Sequence, residues 1–250
     1  MKITKPEMII FDYGQTLADE SSFDGIAGTE AILKYAVRNK YNLTAEQVQA
    51  EADKINSELG RFDLDKRHLF QIEVPNDMFR NYLYESIGIK LSVSGEEADT
   101  IFWDAASAAK PVEKINELIA YLKKEEIRTG VISNISHCKE AVVNRINKIM
   151  PENEFEFVIT SSEYMFRKPN KRIFELALEK AELKAQQVWY CGDNFKCDIV
   201  GANNAGIFPV YYTNSDDKVN ADFEYLSISD WQEMINALEE IILQICNERI

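Results

Sequence analysis

The sequence predicts an α/β fold, in which a parallel sheet is covered by helices on both faces and an all-helical block is inserted near the start of the chain. Three observations indicate this fold. The 250 residues, 46% of them hydrophobic, are enough for a large core with a smaller lobe beside it. Beyond residue 110, short apolar runs alternate with helical patterns, and strands separated by helices of this length form parallel sheets. Between residues 22 and 107 the patterns are helical, with no convincing strand.

The first strand is predicted over Met8 to Phe11, and four helices are predicted in the insert that follows it. Two of these helices begin with capping boxes, in which a Ser or Thr and a Gln or Glu three residues later each hydrogen-bond the other's backbone. These boxes are Thr44 to Gln47 and Ser94 to Glu97. The predicted helices cover residues 26–39, 44–59, 76–87 and a stretch that begins after residue 94.

The rest of the chain alternates between the two kinds of element. The predicted strands cover residues 129–132, 155–160, 188–191 and 209–212, with a further short one near Tyr225. The predicted helices cover residues 112–124, 138–149, 170–181, a stretch that ends at Ala205, and 230–246, with Ser229 as the last helix's cap. In parallel sheets ligands bind outside the carboxyl ends of the strands, so the residues after each apolar run are the candidates for a functional site.

The charge balance limits the partners of the chain. Lys and Arg number 28 against 42 Asp and Glu, which gives a formal net charge of −14. A field of that sign repels nucleic acid and anionic membranes, so neither is expected as a partner. It also repels small anions. A small anionic substrate would therefore need a local cation, from a metal or a well-placed lysine.

The cysteines and the N-terminus predict where the protein works. Cys138, Cys191, Cys197 and Cys246 form no CxxC pair and have no zinc-like spacing with the histidines, so reduced, buried thiols are expected. The first residues, MKITKPEM, contain no apolar signal region, and no run approaches the length of a membrane span. We therefore expect a soluble, cytoplasmic protein.

Polar side chains follow four of the predicted strands, in the order acid, hydroxyl, lysine and paired acids. They are Asp12, then Ser133 and Asn134, then Lys168, then Asp193 and Asp198. Each one alone is explained as a cap or a surface residue, but all of them fall on the single edge where the fold predicts a site. Carboxylates that converge repel each other unless a cation lies between them, and a small set of hard oxygen ligands favours Mg²⁺.

The same side chains suit phosphate chemistry. Lys168 and the Ser133 hydroxyl can hold phosphate oxygens by charge and by hydrogen bonding. A carboxylate beside a metal ion can attack phosphorus and form an acyl phosphate, which divides one difficult displacement into two steps.

Taken together, these motifs resemble those of the haloacid dehalogenase superfamily, whose members are mostly phosphatases. Asp12 to Thr16, with the sequence DYGQT, looks like the first motif, with Asp12 as the nucleophile. Ser133 is similar to the second motif and Lys168 to the third, and Gly192 to Asp198 matches the fourth in its GDxxxxD form.

The resemblance implies an arrangement of domains and roles. It implies a Rossmann-like core formed by residues 1–18 and 108–250, with residues 19–107 as a helical C1-type cap that covers the site and selects the substrate. Within the core it implies Asp12 and Lys168 as catalytic residues. It implies Mg²⁺ held by Asp12, the main-chain carbonyl of Gly14, Asp193 and Asp198. The predicted substrate-binding residues are Thr16, Ser133, Asn134 and Lys168 in the core, and Arg61 and Arg67 in the cap.

The chain departs from the resemblance at Gly14, where the family's phosphatases usually have a second Asp that protonates the leaving oxygen and then activates water. Asp19, Glu20 and His137 are candidates to replace that acid, although His137 is more simply explained as an exposed residue.

Three functions remain open. The favoured one is a Mg²⁺-dependent phosphatase acting on a small phosphorylated metabolite through an aspartyl phosphate. The others are a phosphonatase-like or dehalogenase-like reaction on the same scaffold, and a low-activity protein that binds a phosphometabolite and has a regulatory role.

Overall fold

The computed structural model describes residues 4–20, 22–61, 72–213 and 219–248. Its strands are β1 Met8–Phe11, β2 Ala18–Asp19, β3 Ala36–Asn39, β4 Ile89–Leu91, β5 Lys110–Pro111, β6 Arg128–Ser133, β7 Val158–Thr160, β8 Val188–Gly192, β9 Phe208–Tyr212 and β10 Leu226–Ile228. Its helices are α1 Gly25–Leu33, α2 Ala45–Glu58, α3 Asn76–Ser86, α4 Gly95–Ala106, α5 Ile115–Lys124, α6 Lys139–Ile149, α7 Ser161–Tyr164, α8 Lys171–Ala181, α9 Val200–Asn204 and α10 Trp231–Glu248. A π-helical segment, Phe195–Ile199, leads into α9.

Six of the strands form one sheet in the order β10-β9-β8-β1-β6-β7, and every pairing in it is parallel. β1 lies between β8 and β6, and its four residues are fully buried. Ile9 and Phe11 belong to the apolar cluster on one face of the sheet, and Met8 and Ile10 to the cluster on the other. An unbroken apolar run is what a strand covered on both faces requires. The predicted parallel sheet is confirmed.

The inserted block has a separate small core, in which Ile32, Val48, Leu83 and Ala98 from its four helices pack together. Both predicted capping boxes are present: Thr44 and Ser94 each accept from the backbone of the third helical residue, whose side chain returns the bond. These bonds satisfy backbone donors that a helix leaves unpaired at its start.

The expectation that the insert holds no strand is wrong. The first helix ends at Leu33, and residues 36–39 instead form β3, which pairs antiparallel with β4. Local periodicity suggested a longer helix. The pairing partner lies some 50 residues away along the chain, as the register of Asn39 with Ile89 shows. A strand that forms because of such a distant partner cannot be predicted from the pattern of the neighbouring residues alone.

The structure differs from the sequence predictions in two smaller ways, at the start of the last helix and at the cysteines. The cap of α10 is Asp230, whose carboxylate accepts from the N–H of Gln232 at 2.6 Å, whereas the N–H and hydroxyl of Ser229 both donate to Glu233. All four cysteines are free, as expected, but only Cys191 is fully buried. In the part of the chain that the structure describes, every helix is too short or too polar to cross a membrane.

Candidate active site

The candidate site lies at the carboxyl ends of the central strands. β1 is hydrogen-bonded to β6 on one side and to β8 on the other, so the residues after these strands meet at one edge of the sheet. Asp12 follows β1, and its N–H donates to the carbonyl of Cys191 at 2.8 Å. Ser133 is the last residue of β6, and Asp193 follows β8 directly.

The three candidate acids come together. Carboxylate oxygens of Asp12, Asp193 and Asp198 all lie within 4.8 Å of one another. Burial raises the pKa of Asp12 to about 6, against the opposing charge of Lys168. Burial and the two neighbouring carboxylates raise the pKa of Asp193 to about 7. Burial is the largest cause of both raised pKa values, because it disfavours the charged carboxylate, and shifted pKa values of this kind cluster at functional sites.

Lys168 is the cation of this cluster. Its Nζ lies 2.6 Å from Oδ1 of Asp12 and 2.7 Å from Oδ1 of Asp198, and only 2% of its side chain is exposed. Burial disfavours its charge, but the two carboxylates outweigh burial and hold its pKa above the usual value. Lys168 is therefore a buried ammonium at the centre of the acids.

The charges of the cluster can be counted. Three carboxylates, Asp12, Asp193 and Asp198, face one ammonium, that of Lys168, which leaves two negative charges when all four groups are ionised. A divalent cation carries the charge that balances this remainder. Because all three ligands are hard oxygens, the donor set fits Mg²⁺.

Asn134 and Tyr190 hold the lysine in place. The side chain of Asn134 accepts from the N–H of Lys168 at 2.7 Å and donates to its carbonyl at 2.9 Å. The hydroxyl of Tyr190 accepts from Nζ of Lys168 at 2.7 Å and donates to Asp198 at 3.2 Å. Sequence reasoning missed Tyr190, because the residue lies inside an apolar strand run; the polar end of its side chain is the only signal. Asn134 was predicted to bind substrate, but its side-chain amide hydrogen-bonds the backbone of Lys168 and so positions the lysine.

The two hydroxyl residues differ in their surroundings. Ser133, which is 4% exposed, ends β6 at the edge where the acids meet. Thr16 is fully buried, and within the described residues its Oγ1 has no hydrogen-bond partner. Both side chains are therefore buried, and their predicted roles in binding substrate stay predictions.

Gly14 stands where the family's second acid would be, and there is free space beside its Cα. A Cβ added to Gly14 would meet no atom of the described residues within 4 Å. The candidate substitutes are all engaged elsewhere: Asp19 pairs with Lys110 at 3.1 Å, and Glu20 accepts from the hydroxyl of Tyr13 at 2.9 Å. The space directly around an added Cβ at Gly14 is therefore free of described atoms other than those of the neighbouring residues in the chain.

His137 is the third candidate substitute, and the interpretation that it is exposed is wrong. It is 8% exposed, and its ring stacks on Trp103 with centroids 4.1 Å apart. Its Nδ1 lies 3.1 Å from Asp99, whose other oxygen accepts from the N–H of Cys138 at 2.6 Å. Burial alone would raise the pKa of Asp99, but these hydrogen bonds and the nearby Arg80 hold it well below its usual value.

Two arginines of the insert, Arg61 and Arg67, were predicted to bind substrate, and the structure describes only the first of them. Arg61 donates to the carbonyl of Val74 at 2.8 Å and to Oδ1 of Asn76 at 2.9 Å, and its guanidinium lies over the ring of Phe79. These contacts connect Arg61 to other parts of the insert. Arg67 lies outside the described residues.

Comparison with known proteins places the chain in a family. A family model described as haloacid dehalogenase-like hydrolase matches residues 9–211. The chain is 28% identical over 205 residues to a glyceraldehyde 3-phosphate phosphatase of Methanothermobacter thermautotrophicus, which covers 80% of this chain and 82% of the relative. It is 27% identical over 205 residues to the pyrimidine 5'-nucleotidase YjjG of Escherichia coli, covering 81% of this chain and 84% of the relative.

Solved structures share the fold. A 2-haloacid dehalogenase from Pseudomonas syringae aligns with a TM-score of 0.61 at 20% identity, over 93% of this chain and 98% of that one. The hydrolase YfnB from Bacillus subtilis bound to magnesium aligns with a TM-score of 0.54 at 17% identity, over 94% of this chain and 99% of that one. At these identities the likeness concerns the fold alone.

Proposed function

Because the chain belongs to the haloacid dehalogenase-like hydrolase family, we propose that it is a Mg²⁺-dependent phosphatase that acts on a small phosphorylated metabolite through an aspartyl phosphate on Asp12. The observation that carries the proposal is the cluster of three carboxylates around one buried lysine, with two negative charges left over. Relatives named as phosphatases of glyceraldehyde 3-phosphate and of pyrimidine nucleotides support the reaction class.

In the proposed reaction an oxygen of Asp12 attacks the phosphorus atom of the substrate. The new O–P bond forms as the bond to the leaving oxygen breaks, and the leaving oxygen takes a proton from solvent. Water then attacks phosphorus, releases phosphate and restores the carboxylate. Lys168, 2.6 Å from Asp12, orients the nucleophile and, with Ser133, holds phosphate oxygens. Asp12, the Gly14 carbonyl, Asp193 and Asp198 would hold Mg²⁺, which would supply the positive charge that a phosphate dianion needs to approach the acids.

Gly14 shapes the choice of substrate in this proposal. General acid-base catalysis contributes about 10²–10⁴-fold, and Gly14 itself has no side chain that could supply it. Acyl, anomeric and aryl phosphates, whose leaving groups depart without a proton, should therefore react faster than simple alkyl phosphates. The aspartyl phosphate should also accumulate, since the water that hydrolyses it lacks a base.

Residues 19–107 are proposed to act as a cap over this site and to exclude water during the reaction. The small separate core of this block, formed by residues such as Ile32 and Leu83, supports its treatment as a unit. The roles of Arg61 and Arg67 in reading the substrate, and the cytoplasmic location, remain predictions.

The test is turnover of a panel of acyl, aryl, anomeric and alkyl phosphates with and without Mg²⁺. We expect Mg²⁺-dependent release of phosphate that is lost in Asp12→Asn, which keeps the shape of the side chain and removes the nucleophilic charge. An Asp12→Asn variant as active as the parent would refute the proposal.

The other two functions predict different outcomes, some of which need further assays. Phosphonoacetaldehyde cleavage would proceed through a Schiff base that borohydride traps, and metal-free dehalogenation would continue in the presence of a chelator. The charge left over at Asp12, Asp193 and Asp198 argues against a metal-free reaction. A regulatory binding protein, suggested by Gly14, would bind phosphometabolites tightly and turn over none of the panel.

A further inference from the structure

A short segment of the cap crosses both loops that carry the phosphate-binding side chains. The N–H of Glu73 donates to the carbonyl of Met165 at 2.6 Å, and Ile72 forms an antiparallel bridge with Phe166. Three residues later, the N–H of Asn76 donates to the carbonyl of Ser136 at 2.8 Å. The segment 72–76 thus contacts the loop that leads to Lys168 and the loop that follows Ser133.

The side chain of Glu73 makes the most buried of these contacts. Only 3% of it is exposed, and it forms an ion pair with Arg167, whose side chain is 10% exposed. The same carboxylate oxygen accepts from the hydroxyl of Ser161 at 2.7 Å. The Ser161 hydroxyl in turn accepts from the N–H of Ile135 at 2.9 Å, so one carboxylate of the cap is connected to both loops of the core.

A buried ion pair of this kind determines position more than it adds stability. Removing two charges from water costs about as much as their attraction returns, whereas removing only one partner leaves an uncompensated buried charge. An arrangement of the segment that buried only one of these two side chains would leave its charge uncompensated, so the pair favours the arrangement in which Glu73 meets Arg167.

The pair lies directly beside the proposed catalytic lysine. Arg167 precedes Lys168 in the chain, and the backbone of Lys168 is held on both sides by Asn134, at 2.7 and 2.9 Å. Because Arg167 is joined to Lys168 by a peptide bond, a shift of Arg167 would strain these two hydrogen bonds and move Nζ of Lys168 relative to Asp12, to which it donates. A misplacement of about 1 Å in such a group costs on the order of 10²-fold in rate.

We propose that Glu73 is a positioning residue of the cap, which through Arg167 and Ser161 fixes the two phosphate-binding loops when the cap closes. The inference rests on the proposed phosphatase function for its kinetic consequence. Its structural part, the connection of the cap to the two loops, stands independently of which reaction the site performs.

The first experiment replaces Glu73 with glutamine, which keeps the shape of the side chain but leaves the charge of Arg167 buried and unpaired. We expect kcat/KM to fall by about tenfold to hundredfold and kcat itself to fall, because the loss lies in placing groups and not in initial binding. Amide hydrogen exchange should accelerate in peptides covering 133–138 and 161–168 and stay unchanged in strands β8 and β9. Glu175→Gln, which removes the exposed ion pair of Glu175 with Lys171 at 2.9 Å, is the matched control and should change neither readout.

The second experiment is a double-mutant cycle. In Glu73→Gln/Arg167→Gln neither charge of the pair remains, so the double variant should lose no more activity and loop protection than the more impaired of the two single variants. If Glu73 and Arg167 acted independently, the losses of the two single variants would instead multiply. That result would overturn the proposal, as would a Glu73→Gln variant with accelerated exchange throughout the core. Glu73→Asp, which keeps the charge on a shorter side chain, serves if Glu73→Gln does not fold, and should show the same loop-specific acceleration to a smaller degree.

The two readouts separate this inference from the proposed function. If the parent protein hydrolyses no phosphate on the panel, the proposed function fails, yet exchange in the two loops still tests the connection made by Glu73. Unchanged exchange in both loops of Glu73→Gln overturns the inference, whatever the parent's activity.

Discussion

Replacing Gly14 with aspartate should convert the chain into a faster phosphatase of alkyl phosphates. The conformation and surroundings of Gly14 allow a side chain at this position. A Cβ at Gly14 meets no described atom within 4 Å, and Gly14 is not among the described residues with a positive φ, so an L side chain is accepted without strain. The substitution returns an acid to the position where the family's phosphatases usually have one.

The size of the gain follows from the chemistry that is restored. General acid-base catalysis contributes about 10²–10⁴-fold, which is about 3–5 kcal/mol of transition-state stabilisation. The new carboxyl would lie two residues from Asp12, at the position where the family's phosphatases usually have the acid that protonates the leaving oxygen.

The assay compares two substrates in the presence of Mg²⁺. An alkyl phosphate, whose leaving oxygen needs a proton, should show the full gain in kcat/KM, whereas p-nitrophenyl phosphate should show little. Gly14→Asn is the matched control, since it has nearly the same shape and cannot transfer a proton. Equal rates for Gly14→Asp and Gly14→Asn on the alkyl phosphate would refute the reasoning that the missing acid limits this site.

Three further predictions concern side chains that support the site. Tyr190→Phe removes the hydroxyl that accepts from the lysine ammonium at 2.7 Å, and steady-state kinetics should show kcat/KM reduced by about tenfold, the equivalent of one hydrogen bond to a charged group; an unchanged value would contradict its positioning role. Gly192→Ala puts a Cβ 2.4 Å from Cγ of Asp198, so calorimetry should show weaker Mg²⁺ binding, whereas Gly14→Ala, with open space around it, should bind as the parent does. Asp99→Asn should lower the free energy of unfolding by about 1–3 kcal/mol at neutral pH. Because the pKa of Asp99 is held low in the folded state, that difference should shrink as the pH falls below about 4, and urea denaturation at several pH values would show a constant difference if the reasoning were wrong.

The sequence was sufficient to predict those features whose determining residues lie close together in the chain. An unbroken apolar run over Met8 to Phe11 determines a central strand, and the acid directly after it is carried to the site by the geometry of a parallel sheet. Capping boxes at Thr44 and Ser94 are likewise local, since both partners lie within four residues. These features could be read without knowledge of the rest of the chain.

The features that sequence reasoning missed all depend on contacts between distant parts of the chain. The strand β3 needs β4 as its partner, and the hydroxyl of Tyr190 becomes functional only because Lys168 reaches it from another loop. The pairing of Glu73 with Arg167 joins residues 94 positions apart. Each of these residues is of a type that is common in its local sequence pattern. Composition and periodicity therefore carry no information about its partner.

The central claim is that Asp12 becomes phosphorylated, and it is tested most directly by mass spectrometry of protein quenched in acid during turnover. The absence of an acid or base at Gly14 should make the phosphorylated form long-lived. We predict that the peptide containing Asp12 gains the mass of one phosphoryl group, with Mg²⁺ present and only then. Turnover of the substrate with no phosphoryl group on that peptide, or with the group on a different residue, would contradict the account.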